Sequence, residues 1–391
     1  MKKLVLSLSI VALFLGSCSS DNEEITTDPI RTGTISGEIT TAISYPKGNY
    51  TIQGTVKVKN GGSLTIEAGS VITAVLTDGS DALLVENGGK LFLNGTAALP
   101  IVFTEASKTP GSWGGIIMVG DAPIVGAKSV TTATTEDGNN LPYGGTNDTH
   151  NGGTLKYVRV EYAGKKLTDN TSEMNGFSFY SVGSGTVLEN LVAYKGADDG
   201  FEFYGGTVSA KNLISYGNFD DSFDWQDGWR GDANTNWYAY QVVTGNYGME
   251  IEAKSINNAF GPKVSNITLT RAAGTVTEGG SSAAEYDAIQ FKKEGNGEYT
   301  NVVISGYTTG TTALPATAVR IQDKSTNDNQ VTGGKIKMLN VKINDGTSQF
   351  AGVGTTFTVD FKGNYTTSTT ATGATLTAGA WAIVDGVSLI K

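Results

Sequence analysis

Asp199, Glu202, Asp221, Asp224 and Glu250 are the residues of this 391-residue chain whose types and spacing point to chemistry. Four of them belong to a segment that recurs at an offset of 22 residues, Asp198-Asp199-Gly200-Phe201-Glu202-Phe203 and then Asp220-Asp221-Ser222-Phe223-Asp224-Trp225. If each repeat stacks on the one before, Glu202, Asp224 and Glu250 lie carboxylate over carboxylate. Like charges that close raise one another's pKa or recruit a cation, and hard carboxylate oxygens suit Ca2+. The pattern requires no other cofactor. The same acids have a structural reading: Asp199 and Asp221 precede a strand, where Asx turns are routine, and outward acids on a stacked face are commonly just solvated.

Aromatic residues form a second set. Tyr204, Tyr216, Trp229, Trp237, Tyr238 and Tyr240 crowd one stretch, with Trp229 and Trp237 in a turn region rich in Gly, Asp and Asn. Exposed rings at Trp229, Trp237 and Tyr238 would stack on sugar faces; the alternative is that they anchor loops against the body of the protein. Trp225 reads as core. Other chemistries are weak from the outset. His150 is the single histidine, so a multi-histidine metal cage or a Ser-His-Asp triad would rest on that one residue. With 28 basic against 38 acidic residues and a net charge of −10, no basic patch is available for nucleic acid. Gly183-x-Gly185 alone is no nucleotide fingerprint.

The elements that must position these residues are short strands. Runs of four to six residues alternate apolar and polar and break at Gly, Asn or Asp, the mark of strands with one buried face. Further copies of the repeat start at Tyr157, Asn266, Asn301 and Asn340. A unit of about 22 residues cannot bury its apolar face alone, so neighbours must stack. The expected fold is all-β, a right-handed parallel β-helix (solenoid) with a C-terminal cap. In it Asn190, Asn212, Asn266, Asn301 and Asn340 form an internal Asn ladder at one corner. Phe177, Phe201 and Phe223 stack in one inward column, and Phe179, Phe203 and Trp225 in another. The outward column reads Ser178, Glu202, Asp224, Glu250, Gln290, Arg320. A second column two residues ahead of each inward pair reads Asn175, Asp199, Asp221, Tyr247, Asp287, Thr317. The expected organisation is N-terminal coils over 36–120, a loop excursion over 121–153, main coils over 154–344 and a C-terminal coil or cap over 345–391.

The N-terminus reads as an address. Lys2 and Lys3 precede a short apolar run, Leu4 to Leu15, in the manner of a signal peptide over 1–17. Leu15-Gly16-Ser17-Cys18 then resembles the lipobox of bacterial lipoproteins, which implies cleavage before Cys18 and its acylation, palmitate included. Several acyl chains hold a protein on a membrane without crossing it. Ser19 to Glu24 resembles the acidic signal that exports lipoproteins to the outer face of the outer membrane. Residues 18–35 read as a flexible tether.

Tyr143-Gly144-Gly145-Thr146, the run from Gly153 to Gly164, Asp198 to Gly206 and Asp220 to Asp224 resemble a family of right-handed parallel β-helix surface lipoproteins of Gram-negative bacteria. That resemblance implies the fold and an outer-membrane location facing the cell exterior. Pectinase-type hydrolases share the architecture, and Asp198-Asp199 and Asp220-Asp221 resemble their paired acids, but no histidine follows here. β-Helix polysaccharide lyases use a Lys or Arg base beside Ca2+, and Lys254, Lys292 and Arg320 stand near in register. The leading expectation is a surface-anchored binding or adhesion module for an extracellular glycan. The alternatives are a Ca2+-dependent polysaccharide lyase or glycoside hydrolase, and an accessory subunit of an outer-membrane protein complex.

Overall fold

Alternating runs broken by turn residues become strands here, and among the described residues 24 of them join one sheet that winds into a right-handed parallel β-helix. The computed structural model describes residues 30–76, 81–125, 130–167, 173–277, 285–308, 315–345, 347–352 and 357–391. Cys18, the expected signal sequence over 1–17, residues 18–29 of the expected tether and the 126–129 part of the excursion lie outside the described residues, whereas Arg31 to Ile35, expected in the tether, belong to the strand Arg31–Ile39, the first rung, paired with Gly48–Val58. Among the described residues, helix is confined to short turns at Lys324–Thr326, Asn327–Val331 and Ala380–Ala382.

In the lower coils the shaft has three separate faces. One carries Ala42–Tyr45, Ser63–Glu67 and Lys90–Asn94; the next carries the first half of Gly48–Val58, then Val71–Ala74 and Ile101–Glu105. From Gly153–Glu161 upward these two faces fuse. That strand pairs with Lys90–Asn94 through its first half and with Ile101–Glu105 through its second. The third face begins as the second half of Gly48–Val58 and is separate above it: Ala82–Val85, Ile116–Val119, Phe177–Tyr180, Phe201–Tyr204, Phe223–Gln226, Met249–Ile251, Ile289–Phe291, Thr317–Ile321 and Ser348–Gly352.

A left-handed residue makes the bend inside each fused strand. Tyr157 has φ 51°, and above it Asn190, Asn212, Asn236, Asn266, Asn301 and Asn340 have φ 57–58°. Asparagine tolerates that region because its short polar side chain can hydrogen-bond locally. The amides also bond between coils: Asn212 Nδ2 donates to Asn190 Oδ1 at 3.0 Å, Asn236 to Asn212 at 3.0 Å and Asn301 to Asn266 at 2.7 Å. The expectation is met in part. Asn236 joins the ladder unannounced, Asn266 donates to Thr235 Oγ1 at 3.0 Å instead of to Asn236, and the asparagines from Asn190 to Asn301 lie half-buried along the corner rather than in the interior, with Asn340 exposed above them. Asn212→Ala loses both amide bonds and forces a Cβ-bearing residue without a polar side chain into the left-handed region. A stability loss of about 2 kcal/mol is expected in urea unfolding.

The interior stacks much as its spacing implies. Phe177, Phe201 and Phe223 lie 5.0 and 5.7 Å apart, and Phe179 sits 5.1 Å from Phe203. Above Phe203 the second column changes. Trp225 is in register with it, but the ring stacked on Phe203 at 4.4 Å is Trp229. Left-handed Asp227 (φ 56°) and Gly228 (φ 68°) turn the chain so that this indole re-enters the shaft.

The excursion over 121–153 is not a free loop. Its hairpin, Ala133–Thr134 against Pro142–Tyr143, packs Tyr143 and Ile124 over Leu84, Ile117, Tyr180 and Tyr204, the outward side of the third face. Residues 345–391 divide. Ser348–Gly352 and Tyr365–Thr367 add the last rungs, and Phe350, Phe361 and Tyr365 cluster at 5.1–5.5 Å over the open end. From residue 368 the chain leaves that end and runs back along the outside, which a cap alone does not do.

Candidate functional site

The outward column of the third face is in the expected register, Ser178 under Glu202, then Asp224, Glu250, Gln290 and Arg320. The column ahead of it is tied coil to coil. Asp199 Oδ1 accepts from the Asp221 N–H at 2.8 Å, Asp221 Oδ1 from the Tyr247 N–H at 2.6 Å, and Asp287 Oδ1 from the Thr317 N–H at 2.6 Å. Aspartate recurs there because a one-carbon side chain at a strand's entrance reaches the amide of the next coil. The Asx reading was right about the hydrogen bond and wrong about its partner, which lies one coil up rather than within the turn.

The two columns meet diagonally. Asp199, Glu202 and Asp224 each place an oxygen within 4.8 Å of the others, and so do Asp221, Asp224 and Glu250, with Asp224 common to both triads. They are not a solvated face. Asp199, Glu202 and Asp221 are buried in a groove of about 350 Å³. Asp198, Asp220 and Asn246 stand on its leading side, Glu252, Lys254 and Lys292 on the trailing side, and Glu136 reaches in from the excursion. At the upper end Arg320 closes the column. It is buried and holds Asp287 with two bonds of 3.0 Å, so it is not free to act as a base.

Burial pushes the carboxyls of Asp199, Glu202, Asp221 and Asp224 well above the ordinary range, and neighbouring acids add to it: Asp221 on Asp199, Glu136 on Glu202, Glu250 on Asp221 and Glu202 on Asp224. On the trailing side burial works against charge on Lys292, but Glu250 and Glu252 outweigh it and hold its pKa above the usual lysine value. Lys254 is held up in the same way by Glu136 and Glu252. Glu202 is anchored by Asn175 Nδ2 at 2.6 Å, by Gln226 Nε2 at 3.1 Å and by the Tyr204 hydroxyl. Among the described residues, Asp224 Oδ1 and Gln226 Oε1 are buried without a hydrogen-bond donor, and Gln226 as a whole is 3% exposed. Its amide nitrogen is taken up by Glu202 Oε1. Buried oxygens without donors are costly, and a hard cation satisfies them.

The raised carboxyls set a pH dependence for the cation-free protein. A folded-state pKa above the unfolded value means that the native state binds more protons. The stability is then fully present below the unfolded pKa, near 4, and is lost as pH rises through the folded values. With a chelator present, the melting temperature should therefore fall steadily from pH 5 to pH 8 in scanning calorimetry. A melting temperature that stays flat or rises over that range would contradict the burial of these acids.

The aromatic candidates are corrected. Trp229 and Trp237 are 1% and 0% exposed, Tyr238 is 5% exposed, and none presents a ring face to a sugar. Trp229 Nε1 donates to Val208 O at 3.0 Å and Trp237 Nε1 to Ala210 O at 3.1 Å inside the shaft. Trp237 stands in register with Leu213 and Ile267, an inward position that Asn236 marks in the sequence. Tyr238 lies under the returning C-terminal segment, where its hydroxyl accepts from the Lys391 N–H at 3.0 Å. His150 is buried among Gly120, Gly152 and Gly183 and does not line the groove. Residues not foreseen are Gln226, legible as two positions beyond Asp224 on the same side of the alternation, and Glu136, which has no periodic signal to find it by.

These features define a class, a right-handed parallel β-helix with a buried carboxylate groove on one face. Residues 37–384 match the pectate-lyase-like β-helix domain, and the chain belongs to that family. No curated protein and no solved structure matches it.

Proposed function

We propose that the groove is a Ca2+-dependent binding site for an acidic extracellular polysaccharide, carried on a lipid-anchored shaft at the bacterial outer surface. The observation that carries this reading is the pair of carboxylate triads sharing Asp224, with Asp224 Oδ1 and Gln226 Oε1 buried and lacking donors. Asp199, Glu202, Asp221, Asp224 and Glu250 would hold the ion, with Gln226 supplying a neutral oxygen. Ca2+ takes six to eight oxygens at flexible geometry, so a ligand carboxylate can complete the shell. Family membership fits a carbohydrate role in general, and the Cys18 motif with the acidic Asp21 to Glu24 stretch supports the surface location.

Binding is favoured over β-elimination on a physical ground. A proton-abstracting amine must be neutral near the working pH, whereas Glu136 and Glu252, neither assigned to the ion, hold Lys254 charged. The deciding experiment is calorimetric titration of Ca2+ into chelator-stripped protein, followed by affinity electrophoresis in polygalacturonate, alginate and neutral dextran with and without Ca2+. Saturable Ca2+ heat with a Kd on the order of 0.1–1 mM and retardation by uronates only when Ca2+ is present are expected. Absence of heat, or retardation indifferent to Ca2+, sinks the proposal. Steady release of unsaturated sugar ends would move it from binding to elimination.

A further inference from the structure

A solenoid has a weakness that follows from its topology: each coil contacts only its neighbours, so parting two coils breaks a single interface. Residues 368–391 run across that grain. The Thr372 N–H donates to Asn301 Oδ1 at 2.8 Å, the Ala374 N–H to Thr268 Oγ1 at 2.9 Å and the Thr375 N–H to Asn236 Oδ1 at 3.2 Å. Further along, the Trp381 N–H reaches Ala97 O at 3.2 Å. Arg159 Nη1 donates to the carbonyls of Ala380 and Ile383 at 3.1 and 3.0 Å, and Lys108 pairs with Asp385 at 2.6 Å. The segment thus descends from the coil of Asn301, past those of Asn266, Asn236, Asn212, Asn190 and Tyr157, to that of Ala97. At a strand spacing of about 4.8 Å this is roughly 29 Å of shaft.

Trp381, Ala382, Val384 and Leu389 of the segment are buried along the way, while Ile383 and Val387 stay exposed. Trp381, Val384 and Leu389 close over an outer column of Tyr162, Tyr194, Tyr216 and Tyr238, and Trp381 meets the Tyr157 ring edge-on at 5.8 Å. The Asn ladder takes part as well, since Asn301 and Asn236 each accept a backbone N–H of the segment in addition to bonding their neighbours in the ladder.

We infer that residues 368–391 are a longitudinal strap that couples non-adjacent coils, so that the shaft opens as one cooperative unit instead of fraying coil by coil. The strap is independent of what the groove binds. The test compares the full chain with Trp381→Ala and with a chain ending at Ser368, using calorimetry and hydrogen exchange. The full chain should melt in one transition. Truncation should broaden or split it and lower the midpoint by on the order of 5–10 °C. Trp381→Ala, which leaves every coil intact, should speed amide exchange in 187–194, 210–216 and 234–241 as well as in the strap. Should the truncated chain fail to fold, Trp381→Ala decides the matter by itself. Faster exchange confined to residues 377–391, with the transition unchanged, would reduce the segment to a passive tail and overturn the inference.

Discussion

Asp224→Asn is expected to weaken Ca2+ binding by at least about 100-fold while making the cation-free protein more stable at pH 8. The first effect follows from position, because Asp224 is the one residue common to the two triads formed with Asp199 and Glu202 and with Asp221 and Glu250. Losing its charge weakens both arrangements at once, and its donor-free Oδ1 is replaced by a neutral group. The second effect follows from cost. Without a cation, Asp224 is pushed toward protonation by burial and by Glu202 and Glu250. An amide of the same shape relieves that repulsion and can donate to a neighbouring carboxylate, a gain on the order of 1–3 kcal/mol. Calorimetry and chelated thermal melts read the two effects separately. Equal affinity in the variant, or a destabilised apo form, would mean that Asp224 is an ordinary structural acid. Glu38→Gln, an exposed acid on the first rung paired only loosely with Lys59 at 3.7 Å, serves as the control that should change neither.

Trp237→Ala should cost about 3–5 kcal/mol of stability and leave uronate binding by the folded fraction unchanged. The indole packs against Phe223 at 4.8 Å, Phe203 at 5.7 Å and Trp229 at 5.8 Å, so its removal opens a cavity at the centre of the aromatic stack. A sugar-stacking residue would behave in the opposite way, with stability nearly unchanged and glycan affinity lost. Urea unfolding and affinity electrophoresis on the same preparation separate the two roles.

How much of this was legible in the sequence depends on how local the information is. The register of Glu202, Asp224 and Glu250 could be read off residue by residue, because a parallel solenoid aligns equivalent positions and the Phe-x-Phe pairs mark them. The left-handed corner was equally legible in its asparagines, Asn236 excepted, because the 237–240 strand is written in aromatics and hides the resemblance to Leu213-Ile214-Ser215-Tyr216. Trp229 is hard to place from sequence for a related reason. Its turn-rich surroundings look like a surface loop, and only the left-handed pair Asp227 and Gly228 sends the ring inward.

Strand alternation and coil length are short-range properties, so the repeat, the fold class and the sharing of columns are written in the order of residues. That the acid column is a groove and not a solvated face follows from the packing of the finished fold. Its walls come from turns on neighbouring coils and from Glu136 in an excursion without periodicity, and burial depends on what covers a residue rather than on the residue. The course of residues 368–391 was decided in the same way: their partners, from Asn301 down to Ala97, are set by docking onto a finished shaft, and no local pattern encodes a contact made across so many coils.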